Sequence, residues 1–361
     1  MKRVLTQNLT PGMITGEDVY TYSDQLVIGK GIVLTDATIT KLSYYSILSV
    51  MVEDNVAPAF SDNNPEESSY NEKLRATPEF KKFKADFEEE TEHFKESMND
   101  IVMKNAPVNS DALFDGVYGL VSNNSGNGTY PIFEMLHNMR TYDDVTYVHS
   151  MNVALINNIF ARWLHLSSDE IRTATLCGLL HDIGKLAVSS EIIKKPSKLT
   201  DNEYAMIKEH PSSGYRILRS KNVNEHIINA ALMHHERCDG SGYPLGLSLS
   251  KIDPYARMTA ISDVYDATTS ARSYRGPLCP FAVVGIFENE GLQKYDPGFI
   301  MTFLENIVST YLLNTVRLND GTTGQVVFIN RNKLSKPTIQ CGNDKFIDLS
   351  KEKDLEIEAI I

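Results

Sequence analysis

Leu179-Leu180-His181-Asp182-Ile183-Gly184-Lys185 sets a histidine and an aspartate side by side at the end of an apolar helix. That helix is expected to start at Ser167-Ser168-Asp169-Glu170, which has the form of a capping box. Burying an imidazole and a carboxylate together is costly unless something pairs with them. Alone, the dipeptide admits a structural role as readily as a chemical one, but its surroundings along the chain change the reading. His149 lies in Asp143-Asp144-Val145-Thr146-Tyr147-Val148-His149-Ser150, and His210 stands before Pro211. His234-His235-Glu236-Arg237-Cys238-Asp239-Gly240-Ser241-Gly242-Tyr243-Pro244 opens on two more histidines, and Asp263 lies in Ser262-Asp263-Val264-Tyr265-Asp266. Taken singly, each is explained as a core histidine, a helix-terminal histidine or a solvated carboxylate. Five imidazoles and two carboxylates on a mostly apolar helical scaffold also supply enough nitrogen and oxygen donors for two metal ions, provided one carboxylate bridges.

The rest of the chain narrows the class. Its 361 residues are 42% hydrophobic and 23% charged, an ordinary globular composition long enough for two or three domains. Asp and Glu number 47 against 35 Lys and Arg, and the net charge of −12 argues against a nucleic-acid coat or a binder of anionic membranes. No apolar run approaches the roughly 18–20 residues that cross a bilayer. After Met1-Lys2-Arg3, Val4-Leu5-Thr6-Gln7-Asn8 has no apolar signal core. Cys177, Cys238, Cys279 and Cys341 lie far apart, so neither a disulfide framework nor a thiolate metal site is implied. A soluble, cytoplasmic protein is expected.

Residues 1–60 read as a small α+β module of unknown input, without the features of a phosphoacceptor receiver. Gln25-Leu26-Val27-Ile28 and Gly31-Ile32-Val33-Leu34 favour strands on either side of Gly29-Lys30. Thr35 and Asp36 could cap a short helix carrying Ile39 and Leu42, ahead of a last strand near Val50-Met51-Val52. Residues 61–105 combine a polar linker over 61–76 with a long helix begun by Thr77-Pro78. On that helix Phe80, Phe83, Phe87, Phe94, Met98 and Ile101 make one apolar stripe. The stripe is expected to lie against the next domain, with a homodimer through the 77–104 helix as the alternative. Helical patterns fill 106–313, broken by a loop at Ser122-Asn123-Asn124-Ser125-Gly126-Asn127-Gly128. Over 314–361, Asn319-Asp320-Gly321 separates Thr315–Leu318 from Gln325–Ile329 like a hairpin, and Pro337–Cys341 could add a strand. A small β appendage is expected there.

Together, His149, His181-Asp182-Ile183-Gly184-Lys185, His210-Pro211, the string from His234 to Pro244 and Asp263 resemble the HD-GYP family. These are all-helical bacterial phosphodiesterases that open cyclic di-GMP. The resemblance covers roughly residues 130–313. It implies a mainly α protein, with an HD-type bundle holding a dinuclear metal site between the small N-terminal module and the β-rich C-terminal tail. Carried onto this sequence, it makes Asp182 the bridge between two ions. His149, His181 and Asp263 would complete one coordination sphere, and His210, His234 and His235 the other. A hydroxide held between the ions would be the nucleophile, and Lys185 would stabilise charge on the scissile phosphate. Gly242, Tyr243 and Pro244 match the loop that names the family, with Tyr243 offering a face to guanine. Arg272 and Arg275 stand where the family holds phosphates and base.

Two positions depart from the pattern. Val145 stands where some members carry a glutamate for a third metal, which argues for two ions here. Ser273 replaces a usual proline, while Arg272, Tyr274 and Arg275 are kept. The resemblance implies hydrolysis of cyclic di-GMP to pGpG, and onward to GMP as an open extension. It implies two divalent transition metals, iron or manganese ahead of nickel, cobalt or zinc. A phosphohydrolase acting on another cyclic dinucleotide or nucleotide is one alternative, and a non-catalytic cyclic-dinucleotide sensor is another. No nucleic-acid polymer or membrane partner is expected.

Overall fold

The structure, a computed structural model, describes residues 2–6, 9–10, 12–20, 26–28, 30–32, 34, 39, 42, 47, 49–53, 74–124, 132–133, 135–136, 139, 145–193, 195, 199–270, 278–342 and 345–361. The chain begins with β1 (Lys2–Leu5), β2 (Val19–Tyr20), β3 (Leu26–Ile28) and β4 (Ser49–Val52). β1 pairs antiparallel with β4, and β2 with β3. Leu9, Val19, Ile28, Leu34, Leu42, Val50 and Val52 form a separate small core there. The segment at 31–34 bonds elsewhere than β3: Gly31 donates to the Thr15 carbonyl and Leu34 to the Met13 carbonyl. Ile39 and Leu42 are helical, whereas the capping pair Thr35 and Asp36 and most of the 61–76 linker lie outside the described residues.

Pro78–Met103 forms helix α1, with Thr77 accepting from the Phe80 N–H at its start. The stripe of Phe80, Phe83, Phe87, Phe94, Met98 and Ile101 is buried in this chain's own core, against α2 (Ser110–Asn124) and α3 (Val145–Trp163). Phe83 is fully inaccessible, so the stripe is taken up within the chain itself, as expected of a helix laid against the next domain. Ser122, Asn123 and Asn124 also prove helical, as the last residues of α2, and the described chain resumes only beyond 131.

α3 and α4 (Ser168–Leu180) form the centre, and the capping box at Ser167 and Glu170 is present. Buried amides fasten α3 to its neighbours: Asn157 donates to the Ala174 carbonyl and to Thr259, and Asn158 donates to Thr175. α4 stops at Leu180, so that His181-Asp182 follows its end, and a tight 3-10 turn over Ile183–Ala187 carries Lys185. α5 (Asp201–Lys208), α6 (His210–Arg219), α7 (Glu225–Met233) and α8 (Pro254–Thr269) close the bundle. α9 (Pro280–Ile286) and α10 (Pro297–Ser309) lead to the C-terminal sheet.

That sheet has five antiparallel strands in the order β8-β7-β6-β5-β9: β5 (Thr315–Leu318), β6 (Thr323–Phe328), β7 (Thr338–Cys341), β8 (Lys345–Asp348) and β9 (Ile357–Ile360). Gly321, at φ +85°, makes the turn between β5 and β6. Val316, Leu318, Val326, Ile339, Leu349 and Ile357 belong to the same apolar core as the helices. Among the described residues, no helix is long and apolar enough to cross a membrane.

Candidate metal centre

Five helices converge on one buried point. α3 supplies His149 and α8 supplies Asp263. His181-Asp182 follows the end of α4, His210 opens α6, and His234-His235 follows α7. Asp182 lies between two groups of donors. Its Oδ2 faces His181 Nε2 at 3.3 Å and His149 Nε2 at 3.7 Å. Its Oδ1 faces His210 Nε2 at 3.2 Å and His234 Nε2 at 3.7 Å. Donor atoms of His149, His181 and Asp182 lie within 4.8 Å of one another, as do those of His210, His234 and His235. Asp263 also faces both groups, 3.0 Å from His149 Nε2 and 3.9 Å from His235 Nδ1.

The imidazoles are held in a defined tautomer. Nδ1 of His181 lies 2.7 Å from the Gly178 carbonyl, that of His210 lies 2.7 Å from Ile207 O, and that of His234 lies 3.0 Å from Ala230 O. A carbonyl only accepts, so Nδ1 carries the hydrogen and each Nε2 turns a lone pair towards Asp182. Burial, reinforced by neighbouring imidazoles, holds His234 and His235 well below the usual histidine range, so both are neutral donors near pH 7. Burial pushes Asp182 up, but His181 and Lys185 outweigh it and keep the carboxyl ionised. Burial likewise opposes ionisation of Asp263 and is outweighed by its hydrogen bond with His149.

A metal fits this donor set on the chain's own chemistry. His181 Nε2 and Asp182 Oδ1 are buried without a hydrogen-bond partner, the kind of cost that a coordinated cation removes. His149 shows the same demand in another form: Nε2 faces Asp263, and Nδ1 lies 2.7 Å from Asp266 Oδ2. Burial disfavours a charged ring there, yet the bonds to Asp263 and Asp266 prevail and raise its pKa to about 9. Lys185 Nζ also rests on Asp182 Oδ2, at 2.5 Å.

Asp266 is absent from the residues singled out in the sequence, although it stands one turn after Asp263 on the same face of α8. Its Oδ1 accepts from Asn152 at 2.9 Å and from Ser270 at 3.0 Å. Glu236 is a second omission. This buried carboxylate accepts the N–H groups of Leu245, at 2.7 Å, and Leu247, at 2.8 Å, clamping the loop after His235. Gly242 lies so close to the start of that loop that a Cβ would fall 2.4 Å from Arg237 N and Glu236 Cα. Tyr243 is half-buried and stacks on the His235 ring at 4.7 Å and 22°, so that face is already covered. Pro244 follows it, half-buried. Arg272 and Arg275 lie outside the described residues, and so does the Val145 side chain.

Residues 136–299 match the family model described as an HD domain. Over 204 residues the chain is 39% identical to cyclic di-GMP phosphodiesterase PA4108 of Pseudomonas aeruginosa, covering 56% of this chain and 49% of that protein. Over 145 residues it is 40% identical to 3′3′-cGAMP-specific phosphodiesterase 1 of Vibrio cholerae, covering 40% of this chain and 34% of that protein. The chain thus spans half or less of the length of these two relatives. Among solved structures, the HDG"Y"P protein Bd1817 of Bdellovibrio bacteriovorus aligns over 85% of this chain and 99% of its own. Its TM-score is 0.51 at 15% identity, a likeness of fold alone. The helical bundle, with helix ends meeting around a shared His-Asp pair, agrees with the HD-domain match over residues 136–299. In the types and order of these residues the chain resembles HD-GYP proteins. Divalent-metal binding goes with the HD domain, and the buried histidines and aspartates offer the donors for it.

Proposed function

We propose that this protein is a metal-dependent phosphodiesterase that opens cyclic di-GMP to linear pGpG, acting in the cytoplasm. The observation that carries the reading is Asp182, whose two oxygens face two separate histidine groups. In this reading His149, His181, Asp182 and Asp263 would hold one ion, and His210, His234 and His235 with Asp182 a second. Imidazole and carboxylate donors without sulfur suit iron, manganese, nickel, cobalt or zinc, and the family pattern favours the first two. Bound there, the ions supply Lewis acidity towards a phosphoryl oxygen and acidify a water.

The chain's own residues do the rest. The carbonyl-anchored imidazoles keep their lone pairs aimed at the donor cluster, which limits reorganisation during turnover. Lys185, now resting on Asp182, turns its ammonium to the scissile phosphate and neutralises charge that grows on it. The Glu236 clamp holds the Gly242-Tyr243-Pro244 loop beside His235, forming one wall for the nucleotide. Arg272 and Arg275 are assigned to the remaining phosphate and base contacts on the family pattern.

A second reading is hydrolysis of a hybrid cyclic dinucleotide, favoured by the 40% identity to the Vibrio cholerae enzyme named for 3′3′-cGAMP. Both are tested on protein purified without oxygen and incubated separately with cyclic di-GMP and 3′3′-cGAMP, with nucleotides and metal content measured. The expected result is pGpG from cyclic di-GMP with about two metals per chain, both lost in Asp182→Ala. Preferential cutting of 3′3′-cGAMP would establish the second reading. Bound but intact nucleotide with full metal content would overturn both and leave a sensor.

A further inference from the structure

The family loop accounts for one side of the metal site, whereas α5, which runs directly into His210, has no assigned role. A Thr200–Glu203 capping box starts α5, and Lys195 pairs with Glu203 at 2.7 Å to fasten it. Tyr204 and Lys208 stand four residues apart, on one face of this helix. Lys208 Nζ lies 4.6 Å from the centre of the Tyr243 ring and 5.8 Å from that of Tyr204. Tyr243 in turn stacks on His235, so only one aromatic ring separates the Lys208 ammonium from the donor cluster. Lys185 and Lys195 have carboxylate partners, whereas Lys208 forms no ion pair among the described residues. Tyr204 is 53% exposed, beside a Tyr243 whose ring already stacks on a histidine.

We infer that Tyr204 and Lys208 form a second subsite for the half of the substrate that is not being cut, with Lys208 on its phosphate and Tyr204 under its base. The inference rests on the cyclic-dinucleotide reading above. Such a substrate carries two phosphodiesters. Ions at Asp182 and Lys185 would neutralise one of them, and the other can take, in addition to the contacts assigned to Arg272 and Arg275, a cation at a short remove that is not already neutralised. Lys208 is such a cation. An exposed aromatic ring beside an ammonium suits a base next to a phosphate, because the base stacks while the charge pairs. The attachment of α5 to His210 keeps this subsite in register with the metal donors. It also moves the base platform expected at Tyr243 onto Tyr204.

The test compares two substrates on the metal-loaded, full-length protein: cyclic di-GMP, with two phosphodiesters, and bis(p-nitrophenyl) phosphate, with one. Lys208→Met and Tyr204→Ala are each expected to raise KM for cyclic di-GMP about tenfold. Metal content and turnover of the single diester should stay at wild-type values. Lys208→Arg and Tyr204→Phe should restore the cyclic di-GMP KM. Equal losses on both substrates would make the pair a structural contact and overturn the subsite. Wild-type cutting of cyclic di-GMP with unchanged KM in both variants would overturn the subsite alone. A wild-type protein that neither cuts nor binds cyclic di-GMP would overturn the subsite together with the reading beneath it.

Discussion

His149 differs from His181, His210 and His234 in what holds its second nitrogen, an Asp266 carboxylate instead of a backbone carbonyl. A carboxylate makes the ring a stronger base and a stronger metal donor. Without metal, both nitrogens face carboxylates and the ring is an imidazolium, with its pKa raised to about 9. Because that value lies above the unfolded 6.5, the charged ring stabilises the metal-free fold fully below pH 6.5, and this is lost as pH rises through about 9. A metal taking Nε2 must displace the proton, so loading at pH 8 is expected to release one proton from His149, readable with an indicator dye or by calorimetry in buffers of different ionisation enthalpy. In Asp266→Asn this release should shrink, and metal affinity should fall about 10–100-fold. Unchanged affinity and proton count would dismiss the assignment. Asp266 escaped the sequence reading because its partner lies 117 residues away, a distance no local spacing encodes. The five histidines, Asp182 and Asp263 were legible, since their residue types and order along the chain mark them without any contact being known.

At the scale of elements, the spacing between the two histidine groups is set by backbone against backbone. Gly184, in the turn after Asp182, packs so tightly on α6 that a Cβ would fall 1.9 Å from the His210 carbonyl oxygen. Neither partner is a flexible side chain, so accommodation has to move the turn or the helix. Gly184→Ala is expected to cost about 1–3 kcal/mol or more and to lower metal content, checked by thermal unfolding and metal analysis of the same sample. A variant with wild-type midpoint and full metal would show that the turn can shift. The helix starts were readable because Thr77-Pro78 and Ser167–Glu170 act locally. The tight turn after Asp182 was not, because the close packing on α6 that shapes it comes from residues some thirty positions further on.

Across the whole molecule, the C-terminal sheet is less of an appendage than its sequence suggests. Its buried residues join the helical core, Leu313 donates to the Val326 carbonyl at 2.7 Å, and Ser335 N donates to Glu288 beyond α9. Removing residues 314–361 should therefore lower the thermal midpoint by roughly 5 °C or more, where a truly separate module would leave it unchanged. The Asn319-Asp320-Gly321 turn made the β5–β6 hairpin visible in the sequence, and Pro337–Cys341 the place of β7. Their continuity with the helices was not, because a turn signal marks where strands meet but not what covers their buried face.

The three carbonyl bonds of His181, His210 and His234 have a further consequence. Gly178, Ile207 and Ala230 lie in the last turns of α4, α5 and α7, where carbonyls run out of helical partners and fraying begins. The candidate donors thus also tie off the ends of α4, α5 and α7: one imidazole nitrogen meets the helix-end carbonyl while the other faces the donor cluster. The same rings serve both ends, so fraying of any one of these helix termini would move a candidate donor.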